Sequence, residues 1–529
     1  MNLNILYIFP FDFYGLANNS FLTVFNRISN YLHSKSPIKK YKISEQYLDL
    51  RYENLPEYNP KNITIYRREL EKKLSDLYSI FPYKIIAISC YSSFSYLNSV
   101  EVASMIKSKI NSKCIIIVGG PHATIRPIDF EFKSIPKYIG QFYELKSTPF
   151  DFLIKEEGEI PFYKFIRNYI HKYPRRDKTY SNKLHILGPE LLEDLEDLPL
   201  IDLGLFKNYK DVLNRPDSNL NIDFSRGCPF KCKYCPNSAA YINCYKIVRV
   251  KTVKKCIEEL QKIRDFCNVK HVFINDMILI PKKSKKQEFF EEITHMNKED
   301  GDFPFKIEVE ERIDLCSQYD LSKYKKAQII PQFGLESASR TLLARIGKVL
   351  GKNNAIINKG VKNYLQKAEE LIIEAHRIEF PINFFYVIGL PGTDQQTIRE
   401  SQNFFLEKRY NGNSLIEKYK VNLRFAIYHN YFGTYLYDNA KDLYGTKMLI
   451  KDWWKLFTKD QIYYSQLVQP SKDLSFLTLL EKYMIFLKQV FQKQIKLNNS
   501  FYSIYKYKFF KDWMGKLRSI YNKEVEKNS

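Results

Sequence analysis

Two successive alternations of short apolar runs with amphipathic stretches constrain what this chain can fold into more than any other feature. In the first, over residues 1–172, the runs Leu3–Phe9, Ile85–Cys90 and Cys114–Val118 are dense in Ile and Val, as strands covered on both faces must be. Helical spacing lies between them, for example Leu97–Ile110 with Val100, Ala103 and Ile106 on one side. The pattern predicts an α/β domain with a doubly wound parallel sheet, a fold that binds ligands at the carboxyl ends of its strands. Two loops fall at such ends. One carries Ser92 and Ser93; the other carries Gly119, Gly120, Pro121 and His122, and its glycines let backbone approach a ligand closely.

The second alternation runs over residues 218–430. Its candidate strands are Asn221–Ser225, His271–Asn275, Lys306–Glu310, Ile329–Gly334, Ile382–Ile388 and Asn422–Tyr428, with helical patterns such as Val253–Phe266 and Asn363–His376 between them. Six β/α units of this size fit a partial (β/α)6 barrel of the TIM type, with chemistry at the strands' carboxyl ends. Residues 173–217 open with Pro174-Arg175-Arg176, turn acidic over Glu190–Leu198, and read as a linker across the surface. Residues 431–529 read as helical: Leu474, Leu477, Leu480, Met484, Leu487, Phe491 and Ile495 recur at three- and four-residue steps.

Composition narrows the partners. At 45% hydrophobic and 27% charged residues the chain is neither disordered nor fibrous. A net charge of +23 invites nucleic acid or an anionic membrane, but the basic residues are 62 Lys against 20 Arg, and Arg is the residue favoured for bidentate phosphate recognition. A solvated basic surface is the preferred reading, and nucleic acid is not expected as a partner. The Phe501–Tyr521 segment mixes aromatics with lysines and could lie on a membrane. Packing its aromatics on the barrel is the reading favoured over membrane contact. No run of ~18 apolar residues predicts a spanning helix, and Met1–Leu6 reads as a strand rather than a signal peptide. A cytoplasmic protein is expected.

Nine cysteines, an odd number, make a poor disulfide framework. Three of them stand together in Ser225-Arg226-Gly227-Cys228-Pro229-Phe230-Lys231-Cys232-Lys233-Tyr234-Cys235, on the loop after the first barrel strand. Three thiolates cannot complete a four-coordinate zinc site without a further ligand. They can hold three irons of a [4Fe–4S] cube and leave the fourth iron open to a chelating ligand.

Here the chain resembles the radical AdoMet (radical SAM) enzymes, whose hallmark is C-x3-C-x2-C with an aromatic residue, here Tyr234, before the last cysteine. The resemblance implies that Cys228, Cys232 and Cys235 hold a [4Fe–4S] cluster. Its open iron would chelate AdoMet (S-adenosylmethionine), whose reductive cleavage gives a 5′-deoxyadenosyl radical. Phe333-Gly334-Leu335-Glu336-Ser337 looks like the family's strand-four segment, implying that Glu336 meets the AdoMet ribose. Phe385–Gly392, with Ile388 and Gly389, looks like the segment bordering the adenine. Asp276 and Arg312, after strands two and three, would face the AdoMet amine and carboxylate.

With its doubly wound domain in front, the whole is similar to the cobalamin-binding subgroup, through Ala87–Ser92, Val118–Ala123 and Phe152–Glu159. That implies cobalamin beside Ser92, Ser93, Gly119 and Gly120. None of the eight histidines has an Asp two residues before it, so the D-x-H-x-x-G cobalt-ligating motif is absent. The resemblance implies methylation of an unactivated carbon or phosphorus centre in a biosynthetic intermediate, on a small-molecule or peptide substrate. An electron donor such as flavodoxin or ferredoxin would serve as partner. The alternatives are a cyclase or rearrangement enzyme with the same cofactors, or a radical SAM enzyme with a vestigial cobalamin domain. tRNA methylthiolation is disfavoured, because residues 1–172 hold only Cys90 and Cys114 where a second cluster needs three.

Overall fold

The Ile- and Val-rich runs become two parallel sheets. The computed structural model describes residues 2–12, 19–20, 22–35, 41–172, 183–205, 213, 219–238, 246–299, 301, 303–419, 421–498 and 501–525. The first sheet comprises β1 (Asn2–Phe9), β2 (Lys42–Asp49), β3 (Ile85–Ser89), β4 (Ile115–Gly119), β5 (Phe152–Ile154) and β6 (His185–Leu187). Its order is 2-1-3-4-5-6, so the strand order reverses beside β1 and β3, where such sheets bind ligands. Alternate residues enter different cores, as period-two side chains must. Ile5, Tyr7, Ile85, Ala87 and Ile117 face the second sheet's core, whereas Leu6, Ile8, Ile86, Ile88 and Val118 face the opposite helices.

The second sheet runs in chain order: β7 (Asn219–Ile222), β8 (His271–Ile274), β9 (Lys306–Glu311), β10 (Ile329–Glu336), β11 (Asn383–Ile388) and β12 (Asn422–Ile427). This is the expected partial barrel. Its β7 edge is covered by a two-residue strand from the front of the chain, with Asn19 paired to Asn219 and Ser20 to Leu220. Covering an edge removes a row of unpaired backbone groups. Helix α1 (Leu22–Ser34) follows at once and lies between the sheets. Thr23 Oγ1 donates to the Asn221 carbonyl at 2.7 Å, and Arg27 reaches Glu259 of the barrel.

Two spans differ from the sequence reading. The stretch read as a linker supplies β6 to the first sheet, and Leu192, Leu195 and Leu198 form a small buried cluster with Tyr31. The last hundred residues are largely helical but divide between the two sheets. Phe432, Trp453 and Trp454 are buried against the first sheet's outer core, with Trp453 4.7 Å from Phe94. Helices α2 (Phe476–Asn498) and α3 (Phe501–Glu524) instead close on the barrel, where Phe486, Phe491 and Phe510 surround Phe425 of β12. Lys508 and Lys511 stay exposed on the outer side of α3. Among the described residues, no helix is long and apolar enough to cross a membrane.

Candidate active site

The cysteine loop leaves β7 under several constraints. Asp276, at the end of β8, is buried and accepts hydrogen bonds from the Phe224 and Ser225 N–H groups at 2.8 and 2.9 Å and from Ser225 Oγ at 2.7 Å. Burial pushes its carboxyl up to about 6. Next, Ser225–Arg226 pairs with Arg249–Val250, and Gly227 (φ +92°) passes so close to the Ile247 carbonyl that a Cβ would collide with it. The loop is then pinned by Lys233 N–H to the Ile346 carbonyl and by Leu436 N–H to the Lys233 carbonyl.

The three thiols neighbour one another on this loop. Burial pushes the Cys228 thiol up and Cys235 to about 12, with the neighbouring cysteines adding to both, so each holds its proton until a metal displaces it. The Arg312 guanidinium stacks on Phe230, 3.6 Å from the ring centre, and donates to Cys232 Sγ at 3.4 Å. Its other N–H groups bind Asp314 and the Lys348 carbonyl. Among the described residues no three His, Cys, Asp or Glu side chains converge as a single-ion site requires. A cube needs no such convergence, because each thiolate binds a different iron. The donor set fits a cube with one open iron.

Beside the loop, Glu336 ends β10 with φ +64°, a left-handed conformation that costs a non-glycine residue about 1–2 kcal/mol. The strand register slips between Gly334 and Glu336, and a Cβ on Gly334 would strike the Glu336 carboxylate. The strain aims that carboxylate at Lys348 Nζ, 3.0 Å away, which lies 3.4 Å from the Tyr234 hydroxyl. Lys348 is buried; burial would lower its pKa, but Glu336 overrides this and keeps the ammonium charged. Sequence reasoning missed Lys348, since a lone lysine among 62 carries no spacing signal. Ile388 is fully buried, and Gly389 (φ +79°) is backed by Leu479 of α2.

A cavity of about 740 Å³ separates the two sets of strand ends, within the range of small-molecule sites. Ser92, Ser93, Gly119 and Gly120 line one side; Asn275 and Glu310 line the other, with Arg226 and Gly227 of the cysteine loop at its border. Asp276 is not among the lining residues, because its oxygens are turned onto the loop. Glu310 lines this space, and burial, then the nearby Glu336, pushes its carboxyl up to about 7. Gly120 (φ +104°) is a glycine for a different reason than expected: a Cβ there would sit 2.7 Å from the Cys90 carbonyl, not in the cavity.

The acidic stretch Glu156-Glu157-Gly158-Glu159 after β5 ties the halves together. Glu157 takes both Arg249 Nη groups at 2.9 and 2.5 Å, and Glu159 takes Arg226 Nη2 at 2.8 Å. Behind them, burial works against ionisation of Asp223, but Lys251, Arg226 and Arg27 hold it well below the usual carboxylate range. Paired buried charges of this kind are strongly destabilising to break.

This architecture is shared with solved proteins. A radical S-adenosylmethionine methyltransferase, TsrM from Kitasatospora setae, with cobalamin and a [4Fe–4S] cluster bound, superposes with a TM-score of 0.59 at 10% identity, covering 93% of this chain and 89% of that one. The chain has the TsrM fold. A second TsrM structure, with tryptophan and a SAM analogue bound, gives a TM-score of 0.51 at 11% identity over 76% of this chain and 70% of that one. By sequence, an uncharacterized methyltransferase of Synechocystis is 26% identical over 220 residues, 42% of this chain and 34% of that protein, so the match spans about a third of its length. An uncharacterized methyltransferase of Pyrococcus horikoshii is 21% identical over 387 residues, 72% of this chain and 73% of that protein. No family model matches the chain. The TsrM fold accounts for both sheets and the helices that close them.

Proposed function

We propose that this chain is a cobalamin-dependent radical SAM methyltransferase acting in the cytoplasm on an unactivated carbon or phosphorus centre of a small molecule or peptide. The observation that carries the reading is the cavity with a doubly wound sheet's ligand edge on one wall and the three-cysteine loop at its border. The likeness in fold to TsrM and in sequence to two proteins named as methyltransferases supports it. When bound, the cluster supplies an electron and an open iron for AdoMet, and cobalamin supplies a methyl carrier.

This chain's residues do the rest. Cys228, Cys232 and Cys235 hold the cluster, and the cationic Arg312 beside Cys232 offsets thiolate charge. Glu336, held by Lys348 and joined by Tyr234, offers a carboxylate to ribose hydroxyls, while Gly389 offers bare backbone to the adenine and Ile388, buried in the core, supports it from behind. Glu310, rather than Asp276, is the carboxylate open to an ammonium group; Asp276 positions the loop. Ser92, Ser93 and the Gly119-Gly120 backbone border the corrin. His122 would not serve as a cobalt ligand, because its ring is enclosed by Tyr96, Phe130 and Phe432. An acidic electron-transfer protein of the flavodoxin or ferredoxin kind would supply electrons.

Anaerobic reconstitution tests the reading. Wild type should hold about four irons and four sulfides, take up hydroxocobalamin without a histidine-ligated spectrum, and yield 5′-deoxyadenosine on reduction with AdoMet. Replacing all three loop cysteines by Ala should abolish both the cluster and cleavage. Continued 5′-deoxyadenosine formation by that triple variant would overturn the assignment.

A further inference from the structure

Behind Ser93, on the cavity wall of the first sheet, stand two buried polar side chains, His122 and Asp129, that no role above requires. Ser93 is one of the residues lining the cavity, and its Oγ lies 3.1 Å from His122 Nδ1. His122 Nε2 lies 3.4 Å from Asp129 Oδ2, and both side chains are wholly inaccessible. The two atoms are within ion-pair distance but outside hydrogen-bond geometry, and Nε2 has no hydrogen-bond partner among the described residues. Asp129 is fixed as an anion by Lys455 Nζ at 2.9 Å and Trp454 Nε1 at 2.8 Å, both from the segment that returns after the barrel.

The chemistry of these groups fixes the direction of each proton. A carboxylate only accepts, so the Asp129 anion favours hydrogen on the ring nitrogen that faces it over a bare lone pair there. Burial among Tyr96, Phe130 and Phe432 lowers the His122 pKa, so the ring is neutral and has a single N–H. Nδ1 is then a bare acceptor, and among the described residues the hydrogen it takes is the Ser93 hydroxyl's. The Ser93 proton then points to His122, which leaves the oxygen lone pairs to accept from a ligand.

We infer that Ser93, His122 and Asp129 form a relay that presents Ser93 Oγ as a hydrogen-bond acceptor, a subsite for an N–H donor of the cavity's ligand. The inference rests on the cobalamin reading, and a corrin carries primary amide arms that offer such donors around its rim. Ser93 is thereby a specificity residue: it favours an amide presenting N–H and disfavours one presenting its carbonyl. Asp129 and His122 are positioning residues that act through it.

Two measurements decide the matter. In 15N-histidine-labelled protein, the resonances lost in His122→Gln identify the ring. They should show Nε2 protonated and Nδ1 bare in wild type. Asp129→Asn, whose amide can donate to Nε2, should move the proton to Nδ1 and turn Ser93 into a donor. In parallel, Ser93→Ala should bind hydroxocobalamin about three- to ten-fold more weakly, the worth of one hydrogen bond, with iron content unchanged; Asp129→Asn should weaken it at least as much. If Asp129→Asn does not fold, the wild-type spectrum and Ser93→Ala decide alone. An Nδ1–H tautomer in wild type, or equal affinity in Ser93→Ala, overturns the relay. Wild type that takes up no hydroxocobalamin overturns the cofactor reading instead, while the 15N spectrum still decides the proton positions.

Discussion

At the scale of single residues, the site depends on side chains that are strained or buried at a cost. Glu336 and Lys348 satisfy each other inside the protein, with side-chain exposures of 11% and 5%. Glu336→Gln should weaken AdoMet binding roughly ten- to a hundred-fold through lost charge-assisted hydrogen bonds. It also strands a buried ammonium, at a cost of roughly 3–5 kcal/mol. The double variant Glu336→Gln with Lys348→Met should recover thermal stability but not affinity; recovery of both would reduce the carboxylate to a brace. A second buried group sets an acid limit. Burial lowers His429 to about 3, while Gln466 and Ser465 bond its ring. A depressed histidine pKa means the unfolded chain binds the extra proton, so its stability contribution is complete above about 6.5 and is lost as pH falls from there toward 3. His429→Gln should therefore shift acid loss of the near-ultraviolet circular dichroism to lower pH.

At the scale of elements, legibility followed burial on two faces. β1, β3 and β4 announced themselves because both faces are apolar, and the barrel strands because buried residues alternate with polar ones, as Ile307 and Val309 do with Glu308 and Glu310 in β9. β2 did not: Lys42, Ser44, Glu45 and Gln46 mark it as a sheet edge whose pattern is half polar. β6 is three residues long, too short for any periodicity. The cysteine loop was legible from spacing alone, whereas its clamp was not, since Glu157, Glu159, Arg226 and Arg249 meet only through the fold. That clamp predicts coupling between the halves. Glu157→Gln removes the charge from the Glu157–Arg249 pair, so the base of the loop should loosen and iron should pass to a chelator several-fold faster than from wild type. Equal release rates would show that the loop is held without the Glu157–Arg249 pair, by its other contacts.

At the scale of the whole molecule, the cavity belongs to neither sheet by itself, and a variant that fills it should separate the two chemistries. Gly119 is the position for this: a Cβ there meets only Ile154, at an ordinary 3.7 Å, so Gly119→Leu should fold. It should lose hydroxocobalamin yet keep its iron and uncoupled AdoMet cleavage, whereas Gly120→Leu should damage the fold at Cys90. Retained cobalamin in Gly119→Leu would move the corrin elsewhere. The return of Trp453 and Trp454 to the first sheet could not be read from sequence, because aromatic residues carry no label for the core they enter. The Asn19–Ser20 strand has a further bearing, on how the protein is made. Its partner, Asn219–Leu220, is encoded 200 residues later, so at roughly 5–20 residues per second the ribosome delivers it some ~10–40 s after the front of the chain has emerged. For that interval the nascent first domain waits with an unmatched segment, and its completion depends on the arrival of the polypeptide that will carry the cysteines.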